Sequence, residues 1–280
     1  MEGIKSALLS STCVLFATVA LPAQADYIND NPDLGGGTTD YYMGAYDRGQ
    51  GDLIEDPLTD NFAIEGMTVT RSGNTLTISI DTEFAGKGDD ELLPGFAGPN
   101  GVGYGDLFLS GAWTPDPLGL CAAPYICDDA VNGTVWTHGF ALDDRWSAND
   151  PNLGGDLYSL GSGNNLTDAL ISDDFMTGDY RNRQEVAVDT SSPGVSLVGG
   201  GNASDWSVDD STIDFTIDLT GTGLESNSTF AFHWGMTCAN DVIEGEVTNL
   251  APVPLPASVW LMGSGLLGLV SIARRRRKQA

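Results

Sequence analysis

This 280-residue chain holds two histidines, His138 and His233, and four cysteines, Cys13, Cys121, Cys127 and Cys238. A histidine moves protons near neutral pH, and a thiolate beside it attacks carbonyl carbon. His233 and Cys238 are five apart, and on a strand that odd separation sends them to opposite faces, so no Cys–His pair is expected. The chain has no G-x-S-x-G elbow, no H-E-x-x-H helix and no phosphate-binding G-x-x-x-x-G-K-[ST] loop. Paired carboxylates cleave glycosidic bonds, but among 39 acids spacing selects no pair. Asp89, Asp90 and Glu91, set among glycines, offer oxygens to calcium, yet the D-x-[DN]-x-[DN]-G loop spacing is missing. They read as a solvated loop, and the metal question stays open. Trp113, Trp136, Trp146 and Trp206 are candidates for stacking on sugars, with core packing as the default for each. These residues point to no catalysis and no cofactor.

The elements expected to position them are strands. Glycine occurs 36 times and separates short runs of β-branched and aromatic residues, the pattern of tight turns between strands. Residues 63–70 and 75–81 predict a hairpin around a turn at residues 71–74, with Leu76, Ile78 and Ile80 on one face. Residues 213–219 alternate the same way, pairing with 205–208. Further strands are expected within 104–113, 131–143, 157–160, 184–189, 195–198, 229–236 and 242–247, nine to eleven in all. Residues 162–178 allow one or two helical turns. The expected fold is all-β, a single jelly-roll-like β-sandwich over residues 62–250, preceded by an irregular acidic lead-in at 26–61.

Both ends carry address signals. Residues 1–25 have one cation, Lys5, then an apolar run, then an A-x-A site formed by Ala23 and Ala25. This is a signal peptide, expected to be cut by signal peptidase after Ala25. At the other end, Val253, Pro254, Leu255 and Pro256 precede an uncharged run at 257–273. Then come Arg274, Arg275, Arg276, Arg277 and Lys278. Seventeen helical residues reach about 25 Å, close to the hydrocarbon thickness of a bilayer. The basic cluster stays cytoplasmic and leaves the preceding chain outside.

The order of these three parts resembles the PEP-CTERM sorting signal of Gram-negative bacterial surface proteins. Here it spans residues 253–280, with Pro254-Leu255-Pro256 as its Pro-x-Pro motif and leucine where the commonest form has glutamate. Residues 103–110 (GYGDLFLS), 181–190 (RNRQEVAVDT) and 232–247 (FHWGMTCANDVIEGEV) are similar to blocks in one group of such proteins. The resemblance implies processing by an exosortase near Pro256 and delivery to the outer surface or extracellular matrix. It transfers no catalytic residue.

Export changes the charge and cysteine accounts. Residues 26–255 carry 38 acids against six cations, a net of −32. Nucleic acid demands the opposite sign and is excluded as a partner. In an oxidising compartment the remaining cysteines are expected to pair. Cys121–Cys127 closes the shortest ring, while Cys127–Cys238 and Cys121–Cys238 remain open. Asn132, Asn165, Asn202 and Asn227 head N-x-[ST] sequons, relevant only in a host that glycosylates them. The expected role is structural or adhesive, with exopolysaccharide as a candidate partner. The alternative is a carbohydrate-binding or carbohydrate-cleaving module.

Overall fold

A computed structural model describes residues 24–29, 61–88, 101–115, 129–146, 154–176, 182–198 and 205–251. The described chain is all-β. Its elements are β1 (Gln24–Asn29), β2 (Ile64–Ser72), β3 (Thr75–Thr82), β4 (Leu107–Ser110), β5 (His138–Leu142) and β6 (Gly155–Leu160). There follow α1 (Asn165–Asp168), β7 (Ala169–Ile171), α2 (Ser172–Phe175), β8 (Glu185–Val188) and β9 (Val195–Leu197). Last come β10 (Asp205–Val208), β11 (Thr212–Asp218), β12 (Phe230–Gly235) and β13 (Val242–Val247).

The strands form a five-stranded sheet, β1-β2-β3-β11-β10, a six-stranded sheet, β13-β12-β4-β5-β6-β9, and a small pair, β7-β8. All pairings are antiparallel. The β2–β3 hairpin has the expected turn, centred on Gly73 at φ +63°, a conformation that favours glycine. Arg71, expected in that turn, instead lies inside β2 and points inward. In β11 the alternation Ile213, Phe215, Ile217 inward and Asp214, Thr216, Asp218 outward holds along the strand.

The inward faces of both large sheets share one core. Ile78, Ile80, Ile213 and Phe215 from the five-stranded sheet meet Leu107, Leu109, Phe140, Phe232 and Trp234 from the six-stranded one. Phe140 and Phe215 stack edge to face across the gap at 5.9 Å. A second core lies on the other side of the six-stranded sheet, where Phe108, Trp136, Leu160, Ala169, Val188 and Ala231 cluster under β7-β8. This third layer explains why β4 and β12 are buried at every position and show no in–out alternation.

Three expectations change. Residues 26–29, placed in an irregular lead-in, belong to β1, whose pairing with β2 runs from Gln24 to Asn29. Thirteen strands appear among the described residues, because 162–176 adds β7 between its two short helical turns and the lead-in adds β1. In the six-stranded sheet β12 returns to lie beside β4 after the intervening strands β5 to β11. The five-stranded sheet is a meander extended by a hairpin, so among the described strands the two Greek keys of a jelly roll are not both present.

Candidate functional site

The side chains with most chemical potential meet in the second core. On β12, Phe230, Phe232 and Trp234 fill the first core, so the strand's period of two sends Ala231 and His233 to the opposite face. There His233 is flanked by its cross-strand neighbours, Glu244 on β13 and Phe108 on β4. Its ring lies 5.9 Å from that of Phe108 and 5.7 Å from that of Trp136. Nδ1 is 3.0 Å from Glu244 Oε2, and Nε2 is 2.8 Å from the main-chain oxygen of Glu185.

Those two partners fix the protonation of the ring. A carbonyl oxygen only accepts, and an ionised carboxylate only accepts. With the Glu244 carboxylate ionised, both ring nitrogens donate, and this geometry favours the imidazolium form of His233. Glu244 Oε1 also accepts from Trp113 Nε1 at 2.8 Å and from Thr134 Oγ1 at 3.3 Å. The side chain of Glu185 accepts from Asn165 Nδ2 at 2.6 Å. The Asn165 amide also donates to the Thr134 carbonyl and accepts from the Trp136 amide, which fixes its orientation.

The electrostatics follow from burial. His233, Glu244, Glu185 and Asn165 are all buried. Desolvation, with Glu244 nearby, pushes the Glu185 carboxyl up to about 7 from its usual range, against the opposing pull of His233. For His233, burial works against the charge. The Glu244 hydrogen bond and the two glutamate charges outweigh it, so the imidazolium is favoured beyond its ordinary range. The cluster thus holds one compensated ion pair and one carboxyl poised to titrate near neutrality.

A second buried charge sits beside it. Asp106, just before β4, accepts from the Leu142 amide and Arg145 Nη2 through Oδ1, both at 3.0 Å, and from the Val188 amide through Oδ2 at 2.7 Å. One carboxylate thereby ties the end of β5 and the end of β8 to the start of β4. Desolvation raises the Asp106 carboxyl, and the Arg145 guanidinium opposes that.

Sequence reasoning singled out His233, and Asn165 only as a sequon, but not Glu185, Glu244 or Asp106. The signal lay in the three segments quoted above. Residues 103–110 supply Asp106, 181–190 supply Glu185, and 232–247 supply His233 and Glu244. The structure packs all three together. Four side chains are separated by up to about 140 positions in the chain, and no local spacing announces them.

The other candidates are placed as follows. His138 is buried on β5, 3.0 Å from the Thr137 hydroxyl, and burial holds its pKa below the ordinary range. Trp136 and Trp206 are core residues, 2% exposed, and offer no stacking face to a sugar. Trp113 is half-buried and bonded to Glu244, and the half-buried Trp146 ring packs on Gly103. The Asn165 sequon is closed to any glycan, because that side chain is buried and fully engaged. Ala25 lies in β1 opposite Thr70, and Cys238 is buried. Cys121, Cys127, Ala23, the 89–91 acids and everything from residue 252 onward lie outside the described residues. Among the described residues no helix is long and apolar enough to cross a membrane, and no group of three or more potential metal ligands converges.

The last described residues lead straight to the sorting signal. Leu250 is buried in the first core, and Ala251 is exposed. From there, residues 252–278 match the family model of the PEP-CTERM protein-sorting motif. The chain carries a PEP-CTERM sorting signal. The match includes Pro254, Leu255, Pro256, the apolar run and the five cations. Such a signal implies an exported protein, processed by an exosortase and sorted to the cell surface. No curated protein and no solved structure matches the chain. The β domain in front of the PEP-CTERM signal is therefore read from its own geometry.

Proposed function

We propose that this chain is a two-signal precursor of a surface or extracellular-matrix protein that acts by display, structural or adhesive, rather than by catalysis. Signal peptidase cuts after Ala25. The run at 257–273 then holds the chain in the inner membrane until an exosortase cuts near Pro256. What is delivered is a single acidic β-sandwich. The observation that carries this reading is the PEP-CTERM motif directly abutting the folded domain. Supporting the non-catalytic part, the histidine–carboxylate cluster of His233, Glu244 and Glu185 found among the described residues is buried away from solvent.

The test is fractionation of cells with and without the exosortase, with mass spectrometry of the mature protein. The expected result is a mature chain beginning at Asp26 and ending near Pro256, found outside the cell only when the exosortase is present. Unaltered processing without that enzyme would overturn the sorting reading. Binding on a glycan array, or reducing sugar released by the purified protein, would overturn the non-catalytic display role in favour of a carbohydrate module.

A further inference from the structure

The one buried cation of the first core among the described residues bonds main-chain carbonyls, with the Glu225 carboxylate near enough to act on it through its charge. Arg71, 2% exposed, sits over the Phe230 ring at 5.4 Å and spends its donors on main-chain carbonyls. Nε donates to Gly73 at 2.8 Å, Nη1 to Asn227 and to Leu250 at 2.9 Å, and Nη2 to Glu225. Three chain segments converge on this guanidinium: the β2–β3 turn, the loop before β12, and the exit of the domain. Its planar fork satisfies several acceptors at fixed angles, which an ammonium does not do. The exit is held at two further points. The Thr248 amide donates to Asp26 Oδ2 at 2.8 Å, and the Leu250 amide donates to the Ser228 carbonyl at 2.9 Å.

We propose that this clasp of Arg71, Asp26 and Ser228 keeps the tether between the folded domain and the membrane too short for soluble proteases, reserving its cleavage for the membrane-embedded enzyme. The inference rests on the sorting reading above. Leu250 is fixed, and the apolar run begins seven positions later. Seven extended residues reach about 24 Å at most. A soluble endoprotease needs a freely extended segment that it can surround, and accessible loops and termini are where nicking concentrates. The sequence leaves six positions, 251–256, between the fixed Leu250 and the apolar run, a stretch that on this proposal is too short for such an enzyme to surround. Releasing Thr248 to Leu250 would lengthen the tether by about half.

The experiment uses the full-length precursor in inner-membrane vesicles from cells lacking the exosortase, oriented with the domain outward, and proteinase K as probe. The readout is the rate at which an intact domain-sized fragment is released. Wild type is expected to resist. A six-residue Gly-Ser spacer inserted between Ala251 and the residue after it leaves every clasp contact in place, and is expected to raise release at least tenfold. Arg71→Met keeps the apolar stem over Phe230 but removes the donors, and Asp26→Ala removes the Thr248 acceptor; both are expected to raise release with cuts mapping to 248–256. Thermal melts of the released domains separate local opening from unfolding. Equal release from wild type and the spacer variant overturns the proposal, whatever the point variants do. Wild-type resistance in Arg71→Met that still melts near wild type overturns the role of Arg71. Loss of exosortase dependence in cells would overturn the sorting reading instead, and leaves these vesicle rates as they are.

Discussion

The His233 ring is held between two acceptor positions, which favours its second proton in the folded state. Its pKa is raised, and so is that of Glu185, to about 7. A group with a raised folded pKa binds its proton more tightly folded than unfolded. Its contribution is complete below the unfolded pKa and lost as pH rises through the folded one. For Glu185 that window runs from 4.5 to about 7, worth on the order of 3 kcal/mol. His233 adds loss in the same direction at higher pH. His138, with its lowered pKa, works oppositely and weakens the fold as pH falls below 6.5. Melting temperature followed by circular dichroism is therefore expected to fall from pH 6 to pH 9. Glu185→Gln keeps an oxygen for Asn165 and carries no charge. It is expected to match wild type near pH 5, exceed it by about 1–3 kcal/mol at pH 8, and flatten the profile. A parallel decline in both proteins would show that Glu185 is not the titrating group.

Elements were legible where one face is wet. β2, β3, β10 and β11 follow their written pattern because the outer face of the five-stranded sheet meets solvent. β4 and β12 were found as apolar runs, but nothing in them told that a third layer from residues 129–137 and 165–188 would cover their second face; β8, read as alternating, lies in that layer and is buried at every position. That covering is what turns His233 and Glu185 from half-exposed strand residues into buried ones. Close approach between elements gives two tests. A Cβ on Gly105 would stand 2.0 Å from the Gly235 carbonyl oxygen, where the chain before β4 passes the end of β12. Gly105→Ala therefore forces backbone apart and is expected to destabilise by about 3 kcal/mol, read from urea midpoints. Phe215→Ala empties the contact with Phe140 between the two sheets and is expected to lower stability by about 3–5 kcal/mol. An effect under about 1 kcal/mol for the second would mean that the sheets do not share the core described.

At the scale of the molecule, the address was legible and the polar cluster was not, for one physical reason. A sorting signal is read in extended or helical form by membrane and enzyme, so its information is contiguous. The cluster exists only after Asp106, Glu185, His233 and Glu244 are brought together by folding. Charge is the other property that belongs to the whole chain. A net of −32 over residues 26–255 repels itself in the compact state. Added salt screens exposed charges beyond about 10 Å at 0.1 M and barely touches the buried pairs. Raising NaCl from about 10 mM to about 0.5 M is therefore expected to stabilise the mature protein by about 1–2 kcal/mol, roughly 3–6 °C in melting temperature. The same experiment decides the acids at 89–91. If they are a solvated loop, calcium chloride at matched ionic strength shifts the melt as sodium chloride does. A calcium site binds the folded state alone, so its stabilisation grows with the logarithm of calcium concentration above the dissociation constant. Calcium-specific stabilisation that persists at high sodium chloride and vanishes in the Asp89→Asn, Asp90→Asn double variant would make those acids a site.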